Sequence, residues 1–211
     1  MLVKVCGLNT RDNIMAISKM EVDLMGFIFY KGSPRYFNNA LSFDEVREIP
    51  KRIKKVGVFV NETSYNVLNA IAHYNLDYVQ LHGNESPDYC KELLRFVKVI
   101  KTISIKDQNS FLEIKNYANL CNYLLFDTSS PTYGGAGQPF NWQLLKDVEI
   151  NTPFFISGGI SLENASEIKD LPYKNLMGID VNSKFEIKPG LKDLNKIQQL
   201  IKEINYANSN N

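Results

Sequence analysis

Asp77-Tyr-Val-Gln-Leu-His-Gly-Asn-Glu-Ser-Pro-Asp-Tyr-Cys-Lys-Glu-Leu-Leu-Arg-Phe96 is the stretch that decides the fold. It opens with a short apolar, β-rich run over 77–82 that ends in polar and glycine residues, Gln80, His82 and Gly83. A helix follows over 86–96, with Pro87 suited to its first turn and Leu93 and Leu94 further along. A strand, a polar strand end and a helix make one βα unit.

The same grammar recurs in both directions. Apolar runs at 2–6, 23–30, 55–60, 97–103, 122–127, 153–157 and 177–181 bring the strand count to eight. Between them, 64–73 sets Val67, Leu68, Ile71 and Ala72 on one helical face, and 111–120, 142–148 and 162–168 are further helical stretches. At the end, Leu191, Leu194, Ile197, Leu200, Ile201 and Ile204 form an amphipathic stripe. The gap between the second and third strands holds only a short helix near 43–49, ended by Pro50. Strands alternating with helices pair in parallel through crossovers. Eight such units in 211 residues predict a closed (β/α)8 TIM barrel of class α/β rather than an open sheet. The expected organisation is one domain over 1–211, with 205–211 a frayed tail.

Composition narrows the function classes. The chain is 44% hydrophobic and 22% charged, enough apolar material for one core. Its 24 basic and 23 acidic residues leave a net charge of +1, which gives no general attraction to nucleic acid or an anionic membrane. Three cysteines, Cys6, Cys90 and Cys121, are odd in number and widely spaced, which argues against a disulfide framework and against zinc. The start, Met1-Leu-Val-Lys-Val-Cys-Gly7, does not read as a signal peptide, and no run of about 18 apolar residues exists to span a membrane. A cytoplasmic enzyme with reduced thiols is the expectation.

In a barrel of this kind, chemistry gathers at the C-terminal ends of the strands. Those ends carry Cys6-Gly7, Ser33-Pro34-Arg35, Asn61, Gln80-Leu81-His82-Gly83, Asp127-Thr128, Ser157-Gly158-Gly159 and Asp180-Val181-Asn182-Ser183. Gly158-Gly159 lets backbone N–H groups approach an anion, and a helix start expected just beyond adds its dipole; a tight turn is the plainer alternative. Asn182-Ser183 is expected to begin a short extra helix. Cys6 in an apolar strand reads as inert core, but Lys4 lies on the same strand face and would favour a thiolate. Asp127 reads as an acid or as a helix cap, and His82 as a substrate contact or a structural histidine. Arg35 suits bidentate contact with a carboxylate, or solvent. Asp180, near the end of an apolar strand, needs partners, Lys4 among them. The glycine-rich stretch 131–139 suits a lid, or a merely mobile loop.

These segments together resemble the phosphoribosylanthranilate isomerase family nearly end to end. The resemblance runs through Lys4-Val-Cys-Gly-Leu8, Gly26-Phe-Ile-Phe29 with Ser33-Pro-Arg-Tyr36, Val56-Gly-Val-Phe59 and Val79-Gln-Leu-His-Gly83 with Glu85. It continues through Asp127 with Gly134-Gly-Ala-Gly137 and Phe140-Asn-Trp142, Gly158-Gly-Ile160 with Asn164-Ala165, and Gly178-Ile-Asp-Val181 with Gly190-Leu-Lys-Asp193. The resemblance implies an isomerase of tryptophan biosynthesis. Its reaction is the Amadori rearrangement of N-(5-phosphoribosyl)anthranilate to 1-(2-carboxyphenylamino)-1-deoxyribulose 5-phosphate. It implies Cys6 as general base and Asp127 as general acid. It places Arg35 at the anthranilate carboxylate, Asp180 at the substrate, and Gly158, Gly159, Asn182 and Ser183 at the phosphate; His82 is taken beside them as a candidate substrate contact. No metal or cofactor is implied; the partner is a small phosphosugar, and the chain works as a monomer or homodimer. Two departures stand out: Asn182-Ser-Lys-Phe-Glu186 replaces the usual Ser-Ser-Gly-Val-Glu, and Ala136 replaces a common threonine. Loss of a glycine at Lys184 puts the local backbone in question. From the residues alone, another phosphosugar isomerase or epimerase, or a non-catalytic phosphate-binding barrel, stays open.

Overall fold

The computed structural model describes residues 1–128, 142–145, 148–169 and 171–206. Eight parallel strands close on themselves in sequence order: β1 (Leu2–Val5), β2 (Leu24–Ile28), β3 (Lys54–Phe59), β4 (Tyr78–Leu81), β5 (Lys98–Ile105), β6 (Tyr123–Thr128), β7 (Phe154–Ile156) and β8 (Leu176–Val181). The ring shuts where β1 pairs with β8, Lys4 facing Asp180 and Val5 facing Val181. All eight expected strands are present, with ends shifted by three residues or fewer.

Inward and outward side chains alternate. Inward, Leu24, Val56, Tyr78, Ile100, Leu125 and Phe155 fill one layer of the barrel, and Cys6, Ile28 and Val58 meet in another. Outward, Val3, Val5, Met25, Val79, Val99, Leu124 and Ile179 belong to the main core shared with the helices. A repeated device secures the N-terminal end of the barrel. The residue just before an even strand accepts a backbone N–H from the odd strand before it: Asp23 from Val3 at 2.8 Å, Asp77 from Lys55 at 2.9 Å and Asn122 from Val99 at 2.8 Å.

The helices follow from caps and buried faces. Ser42 caps α2 (Phe43–Glu48) in a capping box with Glu45. Thr63 caps α3 (Ser64–Tyr74), which buries Val67 and Tyr74. Ser86 caps α4 (Pro87–Leu93), which opens on Pro87 and buries Cys90 and Leu93.

Elsewhere the structure departs from expectation. The first gap contains α1 (Arg11–Ile17), whose N-cap Thr10 makes no side-chain cap bond, so no start signal marks it. The stretch 111–120 is a 3-10 helix at Gln108–Glu113 and a single turn, α5 (Ile114–Tyr117). Residues Trp142–Leu145 form a 3-10 turn, and α6 is only Ala165–Lys169. After β8 the expected extra helix is a 3-10 turn, Ser183–Phe185. A small hairpin follows, β9 (Glu186–Lys188) with β10 (Leu191–Lys192), so Leu191 lies in a strand rather than on the last helix. That helix, α7 (Leu194–Tyr206), buries Ile197, Leu200, Ile201 and Ile204 and includes residues 205 and 206. The rest of the tail and the glycine-rich stretch 131–139 lie outside the described residues.

Candidate active site

An open cavity sits at the C-terminal end of the barrel. Cys6, His82, Asp127, Gly158, Gly159, Asp180, Asn182 and Ser183 all line it. Of the nine catalytic, substrate and phosphate residues expected from sequence, Arg35 alone is not among the lining.

On the β1–β8 side, pairing register sets Lys4 beside Asp180, and both point inward. Lys4 Nζ lies 2.8 Å from Asp180 Oδ1, with both side chains buried. Burial alone would lower the Lys4 ammonium, but Asp180 and then Cys6 outweigh it and hold it above the usual lysine range. Burial pushes the Asp180 carboxyl up and Lys4 pulls it back. The 2.8 Å contact is that of an ion pair, and Lys4 is its firmly charged member.

Cys6 lies just past β1, its backbone N–H donating to the Val181 carbonyl at 2.9 Å. The sequence reading expected Lys4 to favour the thiolate. Lys4 and Lys192 do pull the thiol down, but burial is larger and Asp180 adds to it, so the thiol stands above its ordinary value. The buried Lys192 lies on β10, which no strand-end motif flagged, and burial takes its ammonium down to about 8.

Asp127 faces the cavity from β6. Its Oδ1 accepts the Thr128 N–H at 2.8 Å, and its Oδ2 lies 3.3 Å from Nε2 of His82. The histidine at the end of β4 is therefore a neighbour of the carboxylate. Sequence gave no sign of this, because β4 and β6 are joined only by closure of the sheet around β5.

Gly158 has φ +83°, and a Cβ there would collide with the Thr128 side chain and come within 3.0 Å of Asp127 Oδ1. Only glycine lets this turn press against the end of β6. The helix expected to follow directly starts at Ala165 instead. Asn164 turns back, accepting the Ser161 N–H at 2.8 Å and donating to the Gly159 carbonyl at 3.0 Å, so the glycine turn stands apart from α6. Across the mouth, Lys184 lies in the 3-10 turn with no positive φ, and its side chain is exposed. The missing glycine is therefore tolerated without strain.

Arg35 lies at the flank. Its N–H donates to Ser33 Oγ at 3.1 Å, and Ser33 itself lines the cavity. Its Nε and Nη2 donate to both oxygens of Glu186 at 2.8–3.1 Å. Glu186 also accepts from Lys192 at 2.7 Å and from the Gly190 N–H at 3.0 Å. Burial would raise the Glu186 carboxyl, but Arg35 and Lys192 outweigh it and hold it below the usual range. Lys192 binds Asn182 Oδ1 as well, at 2.6 Å. The residue that replaces the usual serine is thus tied into this charged corner.

Fold and cavity together define a (β/α)8 barrel with a thiol, a carboxyl–imidazole pair and a glycine turn around one opening, the class of barrel that binds small ligands at its C-terminal rim. The sequence profile of the family N-(5'phosphoribosyl)anthranilate (PRA) isomerase matches residues 3–203, and the chain belongs to this family. It is 40% identical over 206 residues to the N-(5'-phosphoribosyl)anthranilate isomerase of Parabacteroides distasonis, covering 97% of this chain and 93% of that one. Among solved structures it is similar to phosphoribosyl anthranilate isomerase from Thermotoga maritima, with a TM-score of 0.85, 31% identity and coverage of 98% of this chain and 100% of the other. It is also similar to a phosphoribosyl anthranilate isomerase in complex with reduced 1-(o-carboxyphenylamino)-1-deoxyribulose 5-phosphate, with a TM-score of 0.82, 29% identity and coverage of 98% and 100%.

Proposed function

We propose that Asp127 is the general acid and Cys6 the general base of the isomerisation that defines the family. The chain isomerises N-(5'-phosphoribosyl)anthranilate; family membership decides among the readings that the residues alone left open. The observation that carries the assignment of roles is that Cys6 and Asp127 open onto one cavity, with Gly158 and Gly159 on its rim.

The chemistry runs in two proton transfers. Asp127 gives its proton to the furanose ring oxygen, the C1′–O bond breaks, and the nitrogen lone pair closes an iminium. Cys6, as thiolate, takes the proton from C2′. The C–H electron pair forms the C1′–C2′ double bond and the iminium π pair returns to nitrogen. The resulting enolamine tautomerises to the ketose. Only protons and electron pairs within the substrate move, so a placed acid and base account for each step.

Gly158, Gly159, Asn182 and Ser183 take the phosphate on backbone N–H groups and short polar side chains. Arg35 takes the anthranilate carboxylate with the Nη1 edge that Glu186 leaves uncovered. Asp180 and His82 border the sugar. We take the whole chain as one barrel domain acting on a small phosphosugar in the cytoplasm, as a monomer or homodimer. Among the described residues no helix is long and apolar enough to cross a membrane.

Loss of anthranilate-type fluorescence on turnover of the substrate tests the roles. Cys6→Ser and Asp127→Asn should each lower kcat by about 10²-fold or more while the substrate still binds. Near-normal turnover in either variant removes that residue from its role.

A further inference from the structure

Gln80 lies on β4 inside the barrel, 1% exposed, and takes no part in the proton transfers above. Its Nε2 is 2.9 Å from Nδ1 of His82, two residues on and on the same strand face, and 3.2 Å from Thr102 Oγ1 on β5. Thr102 Oγ1 is itself 3.3 Å from that Nδ1. An amide nitrogen donates and does not accept. Its contact with Nδ1 therefore needs that ring nitrogen bare, which leaves the proton of a neutral imidazole on Nε2. Nε2 is the atom 3.3 Å from Asp127 Oδ2.

We propose that Gln80 is a positioning residue for the acid: by donating to Nδ1 it holds His82 as the Nε2–H tautomer, aimed at Asp127. The proposal rests on Asp127 as general acid. When the Asp127 O–H bond breaks and its proton passes to the ring oxygen, the carboxylate left behind faces two N–H donors, His82 Nε2 and the Thr128 backbone. Donors already aimed where charge develops need no reorganisation during the step. The opposite tautomer would turn a lone pair toward Asp127 and take up the proton meant for the sugar. Thr102 Oγ1 accepts the second amide hydrogen. With the amide reversed, Gln80 Oε1 would face Nδ1 and demand a proton there. As oriented, Oε1 has no hydrogen-bond partner among the described residues.

The tautomer can be read without any activity measurement. The chain has two histidines, and His73 is exposed, so His73→Gln leaves His82 as the single reporter for ring 15N NMR. The wild-type ring at neutral pH should show a bare Nδ1 and a protonated Nε2. Gln80→Glu, whose carboxylate accepts from Nδ1–H, should protonate Nδ1, and Gln80→Leu should give a mixture. Both should lower kcat by at least about tenfold with KM changed less than about threefold. Thr102→Val keeps shape and should shift the ring toward a mixture if the Gln80 variants do not fold. A protonated Nδ1 in the wild type, or a ring unmoved by all three substitutions, overturns the proposal. So does a tautomer that switches while kcat stays put. Full turnover in Asp127→Asn would instead overturn the acid assignment, while the NMR result still reports on His82 by itself.

Discussion

A thiol that is to take a proton from carbon must first lose its own. Cys6 is buried, and burial outweighs the two lysines that would help it ionise. Thiolate is therefore scarce at neutral pH in the free protein and grows as pH rises toward a value above the ordinary thiol range. Accordingly, the Cys6 thiolate should keep growing with pH past about 8.5 rather than level off below it. The thiolate absorbance near 240 nm, taken as wild type minus Cys6→Ser, should titrate at the same point. Lys4→Met should move that titration further up. An unmoved titration in Lys4→Met would remove Lys4 from the tuning of Cys6. Arg35 belongs to the same scale. Glu186 grips two of its nitrogens, so Glu186→Gln should loosen the guanidinium and leave Arg35 and Lys192 without the charge between them. The cost of about 1.5 kcal/mol appears as a roughly tenfold rise in KM with kcat little changed. Steady-state kinetics with unchanged KM would mean that Arg35 does not meet the substrate.

Among the elements, α7 shows how far local pattern carries. Its stripe is legible because Ile197, Leu200, Ile201 and Ile204 recur at helical spacing and all are buried. Leu200 is fully buried, so Leu200→Ala should cost about 2–5 kcal/mol in urea unfolding, while Lys202→Ala on the exposed face should cost less than about 0.5 kcal/mol. Equal costs would mean that α7 is not packed on the barrel. Elements with a cap or a clear stripe, α2, α3 and α4, were visible in the chain for the same reason. Those missed or misread lack a complete local signal. α1 has no side-chain cap, whereas the expected helix over 111–120 is capped by Asp107 but divides between a 3-10 helix and one α turn. The β9–β10 hairpin is held partly by Asn13, which accepts from Lys192 N at 2.8 Å and donates to its carbonyl at 2.9 Å. A partner 179 residues away leaves no trace in local periodicity.

The whole molecule depends on one closing seam. Where β8 meets β1, a Cβ on Gly178 would overlap the Leu2 carbonyl oxygen and crowd Phe155 at 2.8 Å. Gly178→Val, a change that strand propensity alone would favour, should therefore destabilise the barrel by about 3 kcal/mol or more. Its urea midpoint should fall sharply; a midpoint at or above wild type would mean that the seam is looser than described. The sequence alone determined the number and order of the strands, the parallel barrel and the end of it that carries chemistry. Those follow from short-range periodicity, glycine placement and the chirality of βα units, which each segment carries by itself. Tertiary structure decided the rest. It joined His82 to Asp127 and Gln80 to His82, made Glu186 the partner of Arg35 and Lys192, and set the thiol of Cys6 by burial rather than by its neighbouring lysine. Hydrogen bonds and desolvation depend on distances across the closed sheet, and those distances exist only once all eight strands have met.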